Sequence, residues 1–195
     1  MKISALHTQI YSVVNQMVEL NEVEWDAFFD ALVYREVPKK FRLTDVGEIA
    51  REAYFINKGM ARVYFLKEDE EINANFVFEN GFIASYQSFL LKSKSLQAVE
   101  TLEDCELLVL NKLKLDELTQ VYPKFHIFSK AMAEFAFITL QRRAASFILD
   151  SPEERYMNML NERPNMLERV PQHMIASYLG VTRVSLSRIR KRISG

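Results

Sequence analysis

The stretch Pro171-Gln-His-Met-Ile-Ala-Ser-Tyr-Leu-Gly-Val-Thr-Arg-Val-Ser-Leu-Ser-Arg-Ile-Arg-Lys-Arg-Ile-Ser-Gly195 decides how this chain is read. Ile175, Ala176 and Leu179 share one side of a short helix, and Gly180 stands where a tight turn needs positive φ. Thr182 is placed to cap a second helix through its hydroxyl. In that helix Leu186, Ile189 and Ile193 recur at helical spacing and pack back on the first. Small Ala176 lets the two helices approach closely. Positions 175, 176, 179, 180, 186 and 189 thus suit one motif at one spacing, a helix-turn-helix.

The other face of the second helix carries Val184, Ser187, Arg188 and Lys191, flanked by Arg183 and Arg192. From Thr182 to the end there are five Lys or Arg and no Asp or Glu; the whole chain carries −1, which leaves −6 for the rest. A basic run is ordinarily a solvated face. Here it lies opposite the apolar stripe, on the helix that such a motif lays in the major groove. A cationic end on an acidic chain suits a phosphate backbone, so double-stranded DNA is the expected partner.

Composition removes other classes. A chain of 195 residues with 49% hydrophobic content buries one good core or two small ones. No apolar run is as long as a membrane span and no secretory leader is legible, so a soluble, cytoplasmic protein without membrane association is expected. Cys105 is the single cysteine, which excludes an internal disulfide framework and a multi-cysteine zinc or iron–sulfur site. His7, His126 and His173 are scattered, so no metal site and no haem ligand is assigned. There is no Ser/His/Asp set, P-loop or dinucleotide fingerprint, and the carboxylates at 68–71 fall in a turn. No catalytic residue and no cofactor is expected; the enzyme reading, with an appended nucleic-acid module, is the weak rival.

Taken in order, residues 3–20 read as an amphipathic helix with Ile3, Leu6, Ile10, Val13, Val14 and Met17 on one side. Asn21 caps a second, with Glu24 as its capping-box partner and Trp25, Phe28, Phe29 and Leu32 on its apolar face. From Tyr34 short apolar stretches alternate with turns, at 41–43, 54–56, 60–66, 72–78, 82–85, 97–101 and 107–110. Tyr54-Phe-Ile-Asn-Lys-Gly59 ends a strand in a turn, and 67–71 is a charged hairpin tip. This spacing predicts a β-sandwich, barrel or roll. A helical segment follows at 114–118.

The longest helix is expected from Pro123 to Leu149. Phe125, Phe128, Met132, Phe135, Thr139 and Arg142 follow a 3–4 alternation, with Ala131, Ile138 and Ala145 alongside. Such a stripe serves either burial within its own domain or a two-helix dimer interface, of which the interface is favoured. Gln141, Arg142 and Arg143 interrupt it as polar residues that set register. Ser151-Pro-Glu-Glu154 then opens a new helix with a capping box, which puts the hinge near 149–151. Tyr156, Met159 and Leu160 complete the small C-terminal core.

The order of these segments resembles the bacterial Crp/Fnr superfamily of transcription regulators over nearly the whole chain. The likeness is carried by Glu153-Glu-Arg-Tyr156, by Ile175-Ala-Ser-Tyr-Leu-Gly-Val-Thr-Arg-Val-Ser-Leu-Ser-Arg-Ile-Arg-Lys191 and, more weakly, by Tyr54-Phe-Ile-x-Lys-Gly59. It implies an α+β fold: N-terminal helices and a cyclic-nucleotide-binding-like antiparallel β-roll at 1–121, a long dimerisation helix and hinge at 122–150, and a helix-turn-helix domain at 151–195. Many relatives continue into a hairpin wing. Here Gly195 follows the second helix, so the expected wing is reduced.

The recognition helix of cyclic-AMP receptors resembles Ser-Arg-Glu-Thr-Val-Gly-Arg, which corresponds to Thr182, Arg183, Val184, Ser185, Leu186, Ser187 and Arg188 here. The resemblance makes Thr182, Arg183, Val184, Ser185, Ser187, Arg188, Lys191 and Arg192 the expected DNA-binding residues. Arg183 and Arg188 suit bidentate reading of guanine, and Lys191 and Arg192 suit the backbone. Val184 replaces an acidic residue; it can meet a thymine methyl but cannot accept from cytosine, so the operator should differ from the receptor's own. The implied partners are a near-palindromic operator, a second copy of the chain as homodimer, and RNA polymerase.

The effector cassette departs from the pattern. Cyclic-nucleotide sites of this fold use a Gly-Glu pair and then an Arg followed by Ser or Thr. Here Gly81 is followed by Phe82 and Ile83, and no Arg lies between Gly81 and Thr101. Lys92, Lys94 and Ser95 stand in the stretch, but a lysine lacks the planar fork. The expectation is a regulator that does not respond to cyclic AMP. The alternative keeps the fold and switches it by a different small molecule in a roll pocket lined by Phe76, Phe82 and Tyr86.

Overall fold

The computed structural model describes residues 3–68 and 70–194. After a 3-10 turn at Ala5–His7 come α1 (Thr8–Asn15) and α2 (Glu22–Asp30). The helix expected over 3–20 is therefore shorter, although its stripe is real: Ile10 and Val14 are buried and Leu6, Val13 and Met17 pack beside them. Past Asn15 the chain leaves the helix, and Val18 and Leu20 enter the same core. Asn21 caps α2 as expected, its Oδ1 accepting from Glu24 N–H at 2.9 Å while Glu24 Oε2 accepts from Asn21 N–H at 2.7 Å.

Eight strands follow: β1 (Leu32–Val37), β2 (Arg42–Thr44), β3 (Glu52–Lys58), β4 (Ala61–Lys67), β5 (Glu70–Val77), β6 (Phe82–Ile83), β7 (Gln97–Thr101) and β8 (Cys105–Asn111). The helix α3 (Tyr86–Leu91) interrupts them. Leu32 belongs to β1 and not to α2, because α2 closes at Ala31 and Leu32 pairs with Leu110 in an antiparallel register that runs to Val37 against Cys105. The charged hairpin tip is shorter than the 67–71 expected: Lys67 pairs with Glu70 and Leu66 with Glu71 across β4 and β5. Glu71 reaches Arg62, so it is not a free turn carboxylate; Asp69 lies outside the described residues.

The strands form two four-stranded antiparallel sheets, ordered β1-β8-β3-β6 and β2-β7-β4-β5. Tyr54, Ile56, Ala61, Val63, Val99, Leu107 and Val109 fill the space between them. The outer face of the first sheet offers Phe55, Leu108 and Leu110 to the helices. With both faces covered, β8 reads as a continuous apolar run, Leu107-Leu-Val-Leu110, and not as an alternation. Cys105 begins that strand as a buried small hydrophobe; burial pushes its thiol up to about 11.

Next come α4 (Lys112–Val121) and the long α5 (Lys124–Leu149). The aromatic stripe of α5 divides. Phe125 and Phe128 are buried against Phe28, at 5.6 and 5.7 Å between ring centroids, and Met132 packs beside them. Phe135, Phe137, Ile138 and Leu140 face solvent. One half of the stripe is thus domain core, the burial alternative, and the other half is bare.

The last four helices are α6 (Pro152–Glu162), α7 (Met166–Arg169), α8 (Gln172–Leu179) and α9 (Arg183–Ser194). Ser151 caps α6 through a capping box with Glu154, and Pro152 takes the first turn. Tyr156, Met159, Met166, Ile175, Leu179, Leu186 and Ile189 form their core. That core is continuous with Met60, Phe76 and Leu102 on the outer face of the second sheet, so α6–α9 rest on the roll. Polar bonds join them too: Asn73 N–H donates to Ser177 Oγ at 3.0 Å, and that hydroxyl donates to Glu71 O.

Arg169 bridges two carboxylates of the roll, Glu79 at 2.7 Å and Glu103 at 2.5 Å. The guanidinium holds the Glu79 carboxyl down at about 2, from 4.5, helped by the Gly59 N–H. A depressed carboxylate pKa stabilises the fold above the unfolded value, and that contribution disappears as pH falls from about 4.5 towards 2. The pair is a quarter to a third exposed, so solvent screening leaves it on the order of 1–2 kcal/mol. Urea denaturation between pH 7 and pH 3 is expected to show Arg169→Ala with a flatter acid limb than the parent. An unchanged limb would remove the bridge from the account.

Candidate nucleic-acid interface

The helix-turn-helix forms as its spacing requires. Ile175, Ala176 and Leu179 of α8 are buried against Leu186 and Ile189 of α9, whereas Ile193 is partly exposed. Gly180 has φ +67°, and the Val181 N–H donates back to Ala176 O at 3.0 Å, which closes α8 in a Schellman-type turn. Gly180 is also a contact point: a Cβ there would lie 2.6 Å from Cε1 of Phe147 on α5. Thr182 Oγ1 accepts from the Ser185 N–H at 3.1 Å, and the two hydroxyls meet at 2.9 Å.

Of the expected interface residues, Arg183, Val184, Ser187, Arg188, Lys191 and Arg192 are all exposed on α9. Val184 is 61% exposed, about as far as Val23 and Val121 elsewhere on the surface. Arg192 pairs with Glu153 at 2.8 Å. Arg183, Arg188 and Lys191 have no carboxylate partner among the described residues. Thr182 and Ser185 spend their hydroxyls on the helix start, a capping role expected of Thr182 alone. His173 at the start of α8 is held below its ordinary pKa, by partial burial first and then by Arg183 and Arg62.

The cassette residues Gly81, Phe82, Ile83, Lys92, Lys94 and Ser95 are not gathered around one site. Phe82 stacks edge-on with Phe55 (5.0 Å) and Phe128 (5.9 Å), towards the helices. Ile83 faces the other way, into the space between the sheets. Lys92 reaches Asp116 of α4 at 3.5 Å, and Lys94 is exposed. Ser95 is buried and its hydroxyl is consumed: it meets Ser85 Oγ at 2.6 Å, donates to Gln97 O and accepts from Gln97 N–H. Ser88 is likewise tied to Ala50 N–H and Ser93 O. Phe76, Phe82 and Tyr86 do not share a pocket. Phe76 packs on Tyr178 of α8 at 5.6 Å, whereas Phe82 and Tyr86 line a cavity of about 280 Å³ with α4 and α5.

The roll does contain a buried arginine that the sequence did not advertise. Arg62 on β4 is 3% exposed and is held by Glu71 (2.7 Å), Glu100 (2.8 Å) and Asn73 (3.2 Å), over the ring of Tyr64. Its fork is saturated by carboxylates, so it offers little to a phosphate. Among the described residues no group of His, Cys, Asp and Glu side chains could hold a metal ion, and no helix is long and apolar enough to cross a membrane.

Residues 34–122 match the cyclic nucleotide-binding domain family. No curated protein sequence matches the chain. Similar solved structures include the c-di-GMP-responsive global regulator CLP of Xanthomonas campestris, at 17% identity and TM-score 0.71 over 89% of this chain and 92% of that one. FixK2 of Bradyrhizobium japonicum shares 17% identity at TM-score 0.69, over 84% of each chain. A putative Crp/Fnr-family transcriptional regulator of Eubacterium rectale shares 16% at TM-score 0.68, over 90% of this chain and 84% of that one. The chain thus shares the fold of these structures: a roll whose residues 34–122 match the cyclic nucleotide-binding domain family, followed by a long helix and a helix-turn-helix.

Proposed function

We propose that the chain is a homodimeric, sequence-specific DNA-binding transcription regulator of Crp/Fnr type that does not respond to cyclic AMP, and that it is not an enzyme. The observation that carries this reading is the outward face of α9. There Arg183, Val184, Arg188 and Lys191 stand exposed, with no carboxylate partner for the cations among the described residues. Unpaired cations on a helix anchored by its other face suit phosphates and the donor–acceptor edges of the major groove.

The second copy is supported by the bare half of α5. Ile127, Phe135 and Ile138 lie on one stripe, and Phe135 is 64% exposed. A stripe of this kind on a helix that leads into the helix-turn-helix suits a two-helix seam. Two recognition helices about 34 Å apart then fit successive major grooves of a near-palindromic operator. RNA polymerase is the further partner that such a regulator would meet. Insensitivity to cyclic AMP is supported by the consumed hydroxyls of Ser85, Ser88 and Ser95 and by the saturated fork of Arg62.

Selection of binding sites from random DNA, with and without cyclic AMP, tests the reading. The expected product is a two-fold symmetric site whose enrichment the nucleotide leaves unchanged, differing from the receptor's half-site where Val184 reads. No enrichment of any sequence, or enrichment only with cyclic AMP, would overturn it.

A further inference from the structure

Three arginines at the junction of the roll and the helix-turn-helix have only neutral partners. Arg143 of α5 donates through Nη2 to the carbonyls of Asn73 (3.0 Å) and Tyr178 (2.9 Å). Arg155 of α6 donates to the carbonyls of Leu179 (3.1 Å) and Asp150 (2.7 Å). Arg163 donates to Asn75 Oδ1 (3.0 Å) and Phe76 O (3.3 Å). None of the three has an ion pair among the described residues, whereas Arg35, Arg42, Arg62, Arg169 and Arg192 all do.

All three line one cleft of about 420 Å³, and the exposed, unpaired Arg142 opens on it too. Asp150 and Glu162 are its acidic side chains, and Asp150 Oδ2 already accepts from Asn158 at 3.3 Å. Carbonyl dipoles orient a guanidinium but leave its charge standing, and with the three residues only partly exposed their like charges are incompletely screened. Burial lowers the pKa of Arg143 from its ordinary value, and Arg163 and Arg155 add to the fall. Cations crowded in this way are stabilised by an anion of matching charge.

We propose that this cleft binds a phosphorylated small molecule carrying at least two negative charges. Several planar forks converge from two helices with N–H groups to spare, which suits the tetrahedral oxygens of a phosphoryl group better than a single carboxylate. The cleft volume lies in the range of small-ligand sites. The occupant has a direct route to the helix-turn-helix. Arg143 and Arg155 lie over the ring of Phe147 at 5.0 and 4.8 Å, and that ring abuts Gly180 in the turn. The proposal goes beyond DNA binding and stands without it: it places the signal site outside the roll, beside the reading head.

Calorimetry on the full chain without DNA, with inorganic pyrophosphate as probe, tests it. One pyrophosphate per chain is expected. Arg142→Gln removes a side chain that donates no hydrogen bond within the described residues, and it should weaken binding about tenfold. Arg155→Lys keeps the charge but not the fork and should weaken it comparably. Arg188→Gln on the recognition helix should leave it intact. No heat at about millimolar pyrophosphate, wild-type binding by both cleft variants, equal loss in Arg188→Gln, or malonate binding as tightly as pyrophosphate would each overturn the proposal.

Discussion

Arg188→Ala should lower affinity for the selected operator by about 2–6 kcal/mol, because each protomer of a dimer loses a bidentate base contact of about 1–3 kcal/mol. The side chain is exposed on α9 and has no carboxylate partner among the described residues, so its removal leaves the fold untouched. The diagnostic quantity is the pattern of loss. Competition mobility shifts against operators altered at each base pair should show the variant indifferent at one position per half-site, where the parent discriminates strongly. A loss equal at every position would reassign Arg188 to the phosphate backbone, where its effect would be read in the salt dependence.

The second large effect concerns stability. Gly180→Ala places a side chain at φ +67°, which costs about 1–2 kcal/mol for the left-handed conformation. It also drives a methyl to within 2.6 Å of the Phe147 ring, an overpacking of about 1–3 kcal/mol. Chemical denaturation should therefore show a loss of about 2–5 kcal/mol. A double-mutant cycle separates the two parts. In a Phe147→Leu background Gly180→Ala should cost only its conformational share. Additivity of the two substitutions would mean that the ring and the turn do not meet.

What the sequence disclosed depended on how far apart the interacting residues are. The helix-turn-helix was legible apart from Ile193, which faces solvent, because its signals lie within a dozen positions: Ala176, Gly180 and Thr182 each do one local job. The capping boxes at Asn21 and Ser151 were equally local. β1 was hidden because Leu32 continues the apolar face of α2, and only its pairing with Leu110 makes it a strand. α3 was missed because its six residues, between the stretches at 82–85 and 97–101, carry too little periodicity to read as a helix. The division of the α5 stripe could not be seen either, since it depends on Phe28, a hundred residues away, covering Phe125 and Phe128. The same distance effect concealed the arginine cleft. Arg143 reads as a polar interruption of the α5 stripe, and nothing local joins it to Arg155 and Arg163 until the fold brings them to one place.

The shared core of the second sheet and α6–α9 has a consequence for synthesis. The roll leaves the ribosome before the helices that cover its outer face. Met60, Phe76 and Leu102 belong to that face, and their covering partners on α8 come some 75 residues after Leu102. At about 5–20 residues per second the face waits roughly 4–15 s for its cover. Through that interval the Arg62 cluster with Glu71 and Glu100 keeps charge beside the apolar patch, on strands within the sheet. Such charges discourage a nascent β-sheet from pairing with a neighbouring chain. The ion pairs that occupy the fork of Arg62 in the finished protein thus act as gatekeepers while it is being made.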